Sequence, residues 1–238
     1  NGPPVRVKGP IEGGTAEVNG SVSSQFLTGL LIALTHGRNR SVLKVKDLKS
    51  KPYIDMTLEM IETFGGNINN SNYETFDVIP AVFTGKKIAV EGDWSSASFL
   101  LCAAALAGEV KLENLRIDSK QADVAYLNAL RLAGADVEYV NEILTVSRNN
   151  LNAFEFDASE CPDLFPPLAS LAARCNGITR IKGSGRLKHK ESDRGAVLKK
   201  EFEKCGIRID IEDDIMIIHG GKINEAVIDS HGDHRIAM

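Results

Sequence analysis

One pattern occurs three times along the 238-residue chain, at intervals of about seventy residues, and it constrains the fold more than any other feature. Each copy runs from a turn of small or polar residues into an apolar helix, then a strand, a second helix and one or two further strands. A period of this length is too long for a solenoid of short repeats. The pattern therefore predicts an α/β (α+β) fold of repeated βαβαββ units, each with a small globular core.

The first helix of each copy is predicted from its start and its spacing. Leucines at i, i+3, i+4 and i+7 form one buried stripe in the first copy: Leu27, Leu30, Leu31 and Leu34. Serine, aspartate and proline are frequent at helix N-termini. Such residues mark three helix starts and the start of a fourth copy: Ser23, Ser95, Pro162 and Asp233.

The second helices are predicted over residues 52–64, 121–133 and 192–205. Each is followed by glycine, at Gly65, Gly134 and Gly206, and glycine just past a helix is a common C-terminal stop. Apolar runs predict strands after the first helices (41–45, 110–112, 178–181) and after the glycines (67–69, 136–140, 144–146, 207–211, 215–218). Three more strands are expected ahead of the later helix starts, over 88–90, 153–156 and 226–228.

The two ends of the chain suggest a piece of a longer protein. The first residues have no initiating methionine, basic start or apolar core, so we predict no signal peptide. The last six residues stop where a fourth helix begins. We therefore expect that both ends are cut.

Composition narrows the class of protein. Hydrophobic residues make up 43% and charged residues 25%, as in ordinary soluble proteins, and no apolar run reaches the ~18 residues of a membrane span. The net charge of −4 argues against nucleic-acid binding through a general positive field. The four cysteines show no CxxC spacing, which argues against zinc and favours reduced thiols in a cytoplasmic protein.

Four groups of polar residues lie at or just before the predicted helix starts. A basic run, residues 186–194, contains Lys188, Lys190 and Arg194 and suits a phosphate or carboxylate, although a solvated loop explains it equally well. Residues 21–25 supply hydroxyls and an amide, which also serve as ordinary helix caps. Asp163 and the Asp233–Arg235 segment have similar simple explanations. Because all four groups share the helix starts, packed repeats would bring them to one cleft suited to an anionic substrate and proton transfer.

Four segments carry a resemblance to a known family: residues 20–27 (GSVSSQFL), 50–55 (SKPYID), 190–194 (KESDR) and 233–238 (DHRIAM). In this order and at these separations they are similar to the signature segments of the 5-enolpyruvylshikimate-3-phosphate synthase family. The related UDP-N-acetylglucosamine enolpyruvyl transferases fit these positions less well.

The resemblance implies a reaction and an architecture. The enolpyruvyl group of phosphoenolpyruvate is transferred to the 5-hydroxyl of shikimate 3-phosphate and phosphate is released, with no metal or organic cofactor. The family fold has two lobes of three βαβαββ units. Residues 1–88 would then be the last unit of the first lobe, and residues 89–238 about two units of the second lobe plus the start of a third.

The resemblance also implies roles for single residues. Shikimate 3-phosphate would be held by the polar residues of the first two segments: Ser23, Ser24, Gln25, Ser50 and Tyr53. Asp163 would bind the shikimate ring and accept the proton of the attacking hydroxyl, with Lys190 near that hydroxyl. Glu191 would exchange a proton at the methylene carbon. Arg194 and Arg235 would bind phosphoenolpyruvate, as suits two strong acids.

The chain departs from the family pattern in two ways, and three other functions are compatible with its sequence. Arg186 stands where the family commonly has a substrate-binding asparagine. The basic residues expected near the start of the family's chain, in the middle of its first lobe and near its end are missing. Because these basic residues are missing, we expect the chain alone to be inactive. We also expect the full-length protein to be a cytoplasmic monomer that binds neither nucleic acid nor membrane. The alternatives are another acceptor such as a nucleotide sugar, a non-catalytic module of the same fold, and an RNA phosphate cyclase.

Overall fold

Residues 4–21 and 23–238 are described by the computed structural model, apart from the side chain of His189. Residues 1–3 at the chain start and Val22 of the first signature segment lie outside the described residues. Two compact units make up the chain, Asn1–Ile88 and Ala89–Met238.

The first unit has one complete βαβαββ sequence. Its elements are β1 (Gly14–Asn19), α1 (Ser24–Thr35), β2 (Ser41–Lys46), α2 (Lys51–Thr63), β3 (Asn67–Ser71) and β4 (Thr75–Ile79). The sheet order is β1-β2-β4-β3, with β1 and β2 parallel and the remaining pairs antiparallel. Alternation along β2 turns Leu43 and Val45 into the core and leaves Lys44 and Lys46 in solvent.

The second unit holds two further copies. The first comprises α3 (Trp94–Ala107), β5 (Glu109–Leu112), α4 (Tyr126–Ala133), β6 (Asp136–Val140) and β7 (Ile143–Ser147). The second comprises β8 (Glu155–Asp157), α5 (Phe165–Ala172), β9 (Ile178–Lys182), α6 (Arg194–Lys204), β10 (Ile209–Glu212) and β11 (Ile215–His219), followed by the short α7 (His234–Ala237). Short 3-10 segments precede three helices: Ala122–Ala125, Pro162–Leu164 and Ser184–His189. The sheets are ordered β5-β7-β6 and β10-β11-β9-β8, with β8 and β9 parallel.

Buried apolar side chains fill each unit separately. In the first unit, Leu27 and Leu31 of α1 pack with Ile54 of α2 and with Phe76 and Val78 of β4. In the second unit the helices contribute most of the core, because α5 is buried on every side. The largest fully buried side chains there are Trp94, Arg194, Tyr126 and Phe165.

The predicted repeat and fold class are confirmed. The first unit and the last copy show the full βαβαββ order, and the middle copy lacks only a leading strand among the described residues. The predicted glycine stops are also confirmed, since Gly65, Gly134 and Gly206 have φ angles of 95°, 90° and 81°. Only glycine takes up this left-handed conformation without a steric cost.

Four details of the strand prediction are wrong. Residues 88–90 and 226–228 are not strands, because no neighbouring strand of the described chain pairs with them. Two strands were not predicted. One is β1, and the other is β4, where Asp77 interrupts the apolar run but faces outwards and forms an ion pair with Arg40. No helix among the described residues has both the length and the apolar character needed to cross a membrane.

Candidate active site

Two helix starts meet at one edge of the first unit. Because β1 and β2 are parallel neighbours, their carboxyl ends lie at the same sheet edge, and α1 and α2 begin just beyond them. Ser23 caps α1 by accepting the backbone N–H of Gln25 at 3.2 Å. The hydroxyls of Thr28 and Thr57, 2.8 Å apart, join the two helices one turn further along.

Close packing brings the loop before α2 against the loop before α1. A Cβ on Gly20 would lie 2.8 Å from the Cα of Leu48, so only glycine allows this approach. Ser50, at the start of α2, is buried and left-handed, with φ of 55°, and its carbonyl accepts the N–H of Tyr53 at 3.2 Å. The predicted residues of the first two segments therefore lie at one edge of this unit.

Exposure differs among these five residues. Gln25 is exposed, Ser23 and Tyr53 are half-buried, and Ser24 and Ser50 are buried. Hydroxyls, an amide and backbone N–H groups at two adjacent helix starts form a surface suited to a phosphate group.

The same arrangement recurs in the second unit. Strands β8 and β9 are parallel neighbours, and their carboxyl ends lead to the 3-10 segment that carries Asp163 and to the loop that carries Lys190 and Glu191. Arg194 is the first residue of α6. The structure thus brings together all the catalytic residues predicted from the sequence.

Asp163 lies at the centre of this group. Its Oδ1 is 3.1 Å from Lys190 Nζ and 2.9 Å from Arg194 Nη1, and its Oδ2 is 3.5 Å from Arg235 Nη2. The Asp163 side chain is 23% exposed to solvent, compared with 25% for Lys190 and 16% for Arg235. One partly accessible carboxylate therefore contacts three cations.

Arg194 is fully buried and holds three carboxylates. Besides Asp163, its Nη2 donates to Glu191 Oε2 at 2.6 Å, and its Nε donates to Asp233 Oδ2 at 2.9 Å. A second contact joins Nη2 to Asp233 Oδ1 at 3.2 Å. Glu191 is the exposed member of this set, since its side chain keeps 48% of its exposure.

Arg235 reaches Asp163 from the start of α7. Asp233 caps that helix by accepting the backbone N–H of Arg235 at 2.9 Å. The guanidinium of Arg235 also donates from Nη1 to the hydroxyl of Ser95, at the start of α3. Three helix starts therefore meet around Asp163.

The neighbouring charges set the ionisation of the two carboxylates Asp163 and Asp233. Burial raises the pKa of Asp163, but Lys190, Arg235 and Arg194 outweigh that effect and hold the pKa below its usual range. Burial likewise raises the pKa of Asp233, and its bonds from Arg194 and Ser192 lower it further than burial raises it. Asp163 is therefore ionised at neutral pH and can accept a proton only as its contacts with the cations change.

Three contact residues were not predicted as site residues: Asp233, Ser95 and Ser192. Asp233 belongs to one of the four polar groups and to the last signature segment, but only Arg235 of that segment was predicted as a site residue. Ser192 lies within the signature segment 190–194, whereas Ser95 carries no sequence signal that distinguishes it from an ordinary helix-cap serine.

Two residues of the predicted basic run lie apart from Asp163. Lys188 is exposed, and Arg186 donates from Nη1 to the backbone carbonyl of Ser159 at 3.2 Å. Among the described residues, no group of three or more histidine, cysteine, aspartate or glutamate side chains is arranged to hold a metal ion.

Solved structures show the same architecture. An EPSP synthase from Acinetobacter baumannii aligns over 95% of this chain and 54% of its own, with a TM-score of 0.78 and 24% identity. The enolpyruvyl transferase NikO from Streptomyces tendae aligns over 87% of this chain and 51% of its own, with a TM-score of 0.62 and 17% identity. The fold is therefore that of the enolpyruvyl transferases.

Sequence comparison narrows the class to one family. A model described as EPSP synthase (3-phosphoshikimate 1-carboxyvinyltransferase) matches residues 1–238. The chain is 40% identical over 245 residues to the 3-phosphoshikimate 1-carboxyvinyltransferase of Aliivibrio fischeri, covering 100% of this chain and 57% of that protein. The enzyme of the same name from Methanosphaerula palustris is 40% identical over 239 residues, covering 99% and 56%. The chain belongs to the EPSP synthase family, and it spans about half the length of the curated relatives it matches.

Proposed function

We propose that this chain is part of an enzyme that transfers the enolpyruvyl group of phosphoenolpyruvate to the 5-hydroxyl of shikimate 3-phosphate, releasing phosphate. The observation that carries the proposal is the contact of Asp163 with Lys190, Arg194 and Arg235. This group suits a reaction that joins a hydroxyl to a doubly acidic substrate. Membership of the family supplies the substrates.

Asp163 and Lys190 are assigned to the attacking hydroxyl. An ionised aspartate that remains partly accessible can accept the hydroxyl proton, and a cation at 3.1 Å holds it in place. The pKa of Asp163 lies below its usual range, so it becomes a stronger base when a substrate draws Lys190 or Arg235 away.

Arg235 and Arg194 are assigned to phosphoenolpyruvate. Arg235 keeps part of its surface, whereas Arg194 is fully buried and already bonded to three carboxylates. A substrate carboxylate can reach Arg194 by replacing Glu191, which is the exposed partner. That exchange would free Glu191 for proton transfer at the methylene carbon, the role the resemblance implies.

The first unit is assigned to shikimate 3-phosphate. Its buried and half-buried hydroxyls stand at two helix starts, where backbone N–H groups favour a phosphate. The ligands are Ser23, Ser24, Gln25, Ser50 and Tyr53.

The proposal extends to further properties of the parent protein. Residues 1–88 are the last unit of one lobe, and residues 89–238 are about two units of the other plus the start of a third. The free thiols, three of them buried, support a reducing compartment such as the cytoplasm. We assign the full-length enzyme as a monomer without nucleic-acid or membrane partners. The chain alone should give no turnover, because it spans only about half the length of its relatives.

A phosphate-release assay on the full-length parent protein, with both substrates, tests the proposal. Asp163→Asn should lower kcat by about 100-fold or more, since a positioned general base contributes roughly 10²–10⁴-fold. Asp118→Asn is the matched control, because Asp118 is an exposed carboxylate that forms an ion pair with Arg116. A folded parent protein that releases no phosphate would rule out the proposal. Phosphate release with a nucleotide sugar, but not with shikimate 3-phosphate, would show that the acceptor is the nucleotide sugar.

A further inference from the structure

A buried carboxylate outside the site just described holds the segment that leads to α7. Glu201 lies on α6, is only 3% exposed, and accepts three hydrogen bonds. Its Oε2 accepts from Lys204 Nζ at 2.6 Å and from the backbone N–H of Asp229 at 2.9 Å. Its Oε1 lies 3.0 Å from His231 Nε2.

Few side chains of the segment before residues 229–232 are buried, although the N–H of Asn224 donates to the carbonyl of Cys205 at 2.9 Å and Lys204 Nζ lies 3.5 Å from the carbonyl of Val227. Between Gly221 and Ile228 most residues are exposed, and Val227 keeps 89% of its surface. Residues 229–232 form a tight turn in which His231 and Gly232 have φ angles of 52° and 72°. The next residue, Asp233, is buried and bonded to Arg194.

Glu201 and Arg194 lie on the same side of α6. They are seven residues apart, which is two helical turns or about 10.5 Å along the axis. Arg194 binds Asp233 and Glu201 binds the turn just before it, so one helix face holds the segment at two points. At one point the helix supplies the cation, because Arg194 binds Asp233. At the other point it supplies the anion, because Glu201 binds the backbone N–H of Asp229 and the ring of His231.

We infer that Glu201 is a positioning residue, which fixes residues 229–232 on α6 so that Asp233 reaches Arg194 and Arg235 reaches Asp163. The positioning itself stands on geometry alone. Its consequence for turnover rests on the proposed function, because Arg235 is there assigned to phosphoenolpyruvate. Loss of Glu201 should therefore weaken the binding of phosphoenolpyruvate and leave the binding of shikimate 3-phosphate unaffected.

Hydrogen–deuterium exchange on this chain tests the positioning without any assay of activity. Glu201→Gln keeps the shape of the side chain but replaces one carboxylate oxygen by an NH₂ group. That group cannot accept a hydrogen bond from Lys204, Asp229 or His231. The amides of residues 229–238 should exchange about tenfold faster or more, as expected when a charge-assisted hydrogen bond is lost. Glu203→Gln, an exposed carboxylate on the same helix, is the control and should leave exchange unchanged.

Two results would overturn the positioning role. One is equal exchange at residues 229–238 in Glu201→Gln and Glu203→Gln. The other is an equal acceleration across the whole of the second unit, because this would show a general loss of stability. If Glu201→Gln fails to fold, His231→Ala removes the opposite partner from the exposed side and should accelerate the same amides.

Steady-state kinetics of the full-length parent protein test the consequence for the site. Glu201→Gln should raise the KM for phosphoenolpyruvate about tenfold and change the KM for shikimate 3-phosphate by less than about twofold. An equal rise in both constants, or no rise in either, would contradict the link to Arg235. If the unmodified parent releases no phosphate, the proposed function is wrong, and the exchange measurement alone decides the inference.

Discussion

Single residues of this chain differ in reactivity because burial and charge are distributed unevenly. Asp163 stays ionised because three cations outweigh its burial. Cys161, two residues earlier, shows the opposite effect: burial raises the pKa of its thiol, and the surrounding carboxylates raise it further. Sequence position therefore says little about reactivity, and the environment of each side chain decides it.

The four cysteines allow a direct test at this scale. Burial raises the pKa of Cys102 to about 11 and that of Cys175 to about 12. Cys161 is also buried, whereas Cys205 is partly exposed. Because the thiolate is the reactive form, iodoacetamide at pH 8 should modify Cys205 first. Peptide mass spectrometry over time checks this, and a rate at Cys102 equal to that at Cys205 in the folded protein would contradict it.

Ionic contacts at the site could be predicted only in part from the sequence. The signature segments identified Lys190, Arg194 and Arg235, Asp163 was identified at a predicted helix start, and the structure brings the four together. The burial of Arg194 could not be predicted, because it depends on Asp233, which follows 39 residues later. Contacts between residues distant in sequence depend on how the elements pack, and a local sequence pattern does not predict them.

At the scale of the elements, local signals were sufficient for helices and incomplete for strands. Helix α2 was expected at 52–64 and lies at Lys51–Thr63, because spacing and a glycine stop are both local. A strand, in contrast, requires a partner. Residues 226–228 carry an apolar run but pair with no strand in the described part of the chain, while β1 has a partner in β2 and was not predicted.

The glycine stop after α2 gives a test of helix termination. Gly65 has φ of 95°, and a Cβ there would meet only the hydroxyl of Thr84, at 3.6 Å. Gly65→Ala should therefore cost about 1–2 kcal/mol of stability, from the left-handed backbone alone. Gly85→Ala is the control, because no atom lies within 4 Å of its added Cβ and its φ is not in the left-handed range. Urea unfolding curves compare the two, and equal midpoints would contradict the assignment of Gly65 as a helix stop.

At the scale of the whole molecule, the second unit combines an apolar core with a cluster of buried charge. Arg194 is fully buried and Asp233 is 1% exposed, and together they join α6 to the start of α7. Such a pair adds little net stability when complete, but removal of one partner leaves a buried charge uncompensated. The stability of this unit should therefore depend on the ionisation of its carboxylates.

Acid pH should weaken the second unit through these carboxylates. The pKa values of Asp163 and Asp233 lie below their usual range, and bonds from Lys204, Asp229 and His231 lower the pKa of Glu201 to about 2. A group with a lowered folded-state pKa stabilises the fold fully above its unfolded pKa of about 4, and that stabilisation is lost as the pH falls through the folded value. The stability of the second unit should therefore fall steadily from about pH 4 downwards.

Trp94 offers a measurement confined to this unit, since it is the sole tryptophan in the sequence and is fully buried there. Its fluorescence during urea unfolding should show a lower midpoint at pH 3 than at pH 7. Asp233→Asn should lower the midpoint at pH 7, because Arg194 loses its fully buried charge partner, but it should reduce the difference between the two pH values. Glu203→Gln, exposed on α6, should retain the full difference. An unchanged pH difference in Asp233→Asn would show that the acid sensitivity arises elsewhere, because a carboxylate that no longer exists cannot contribute to it.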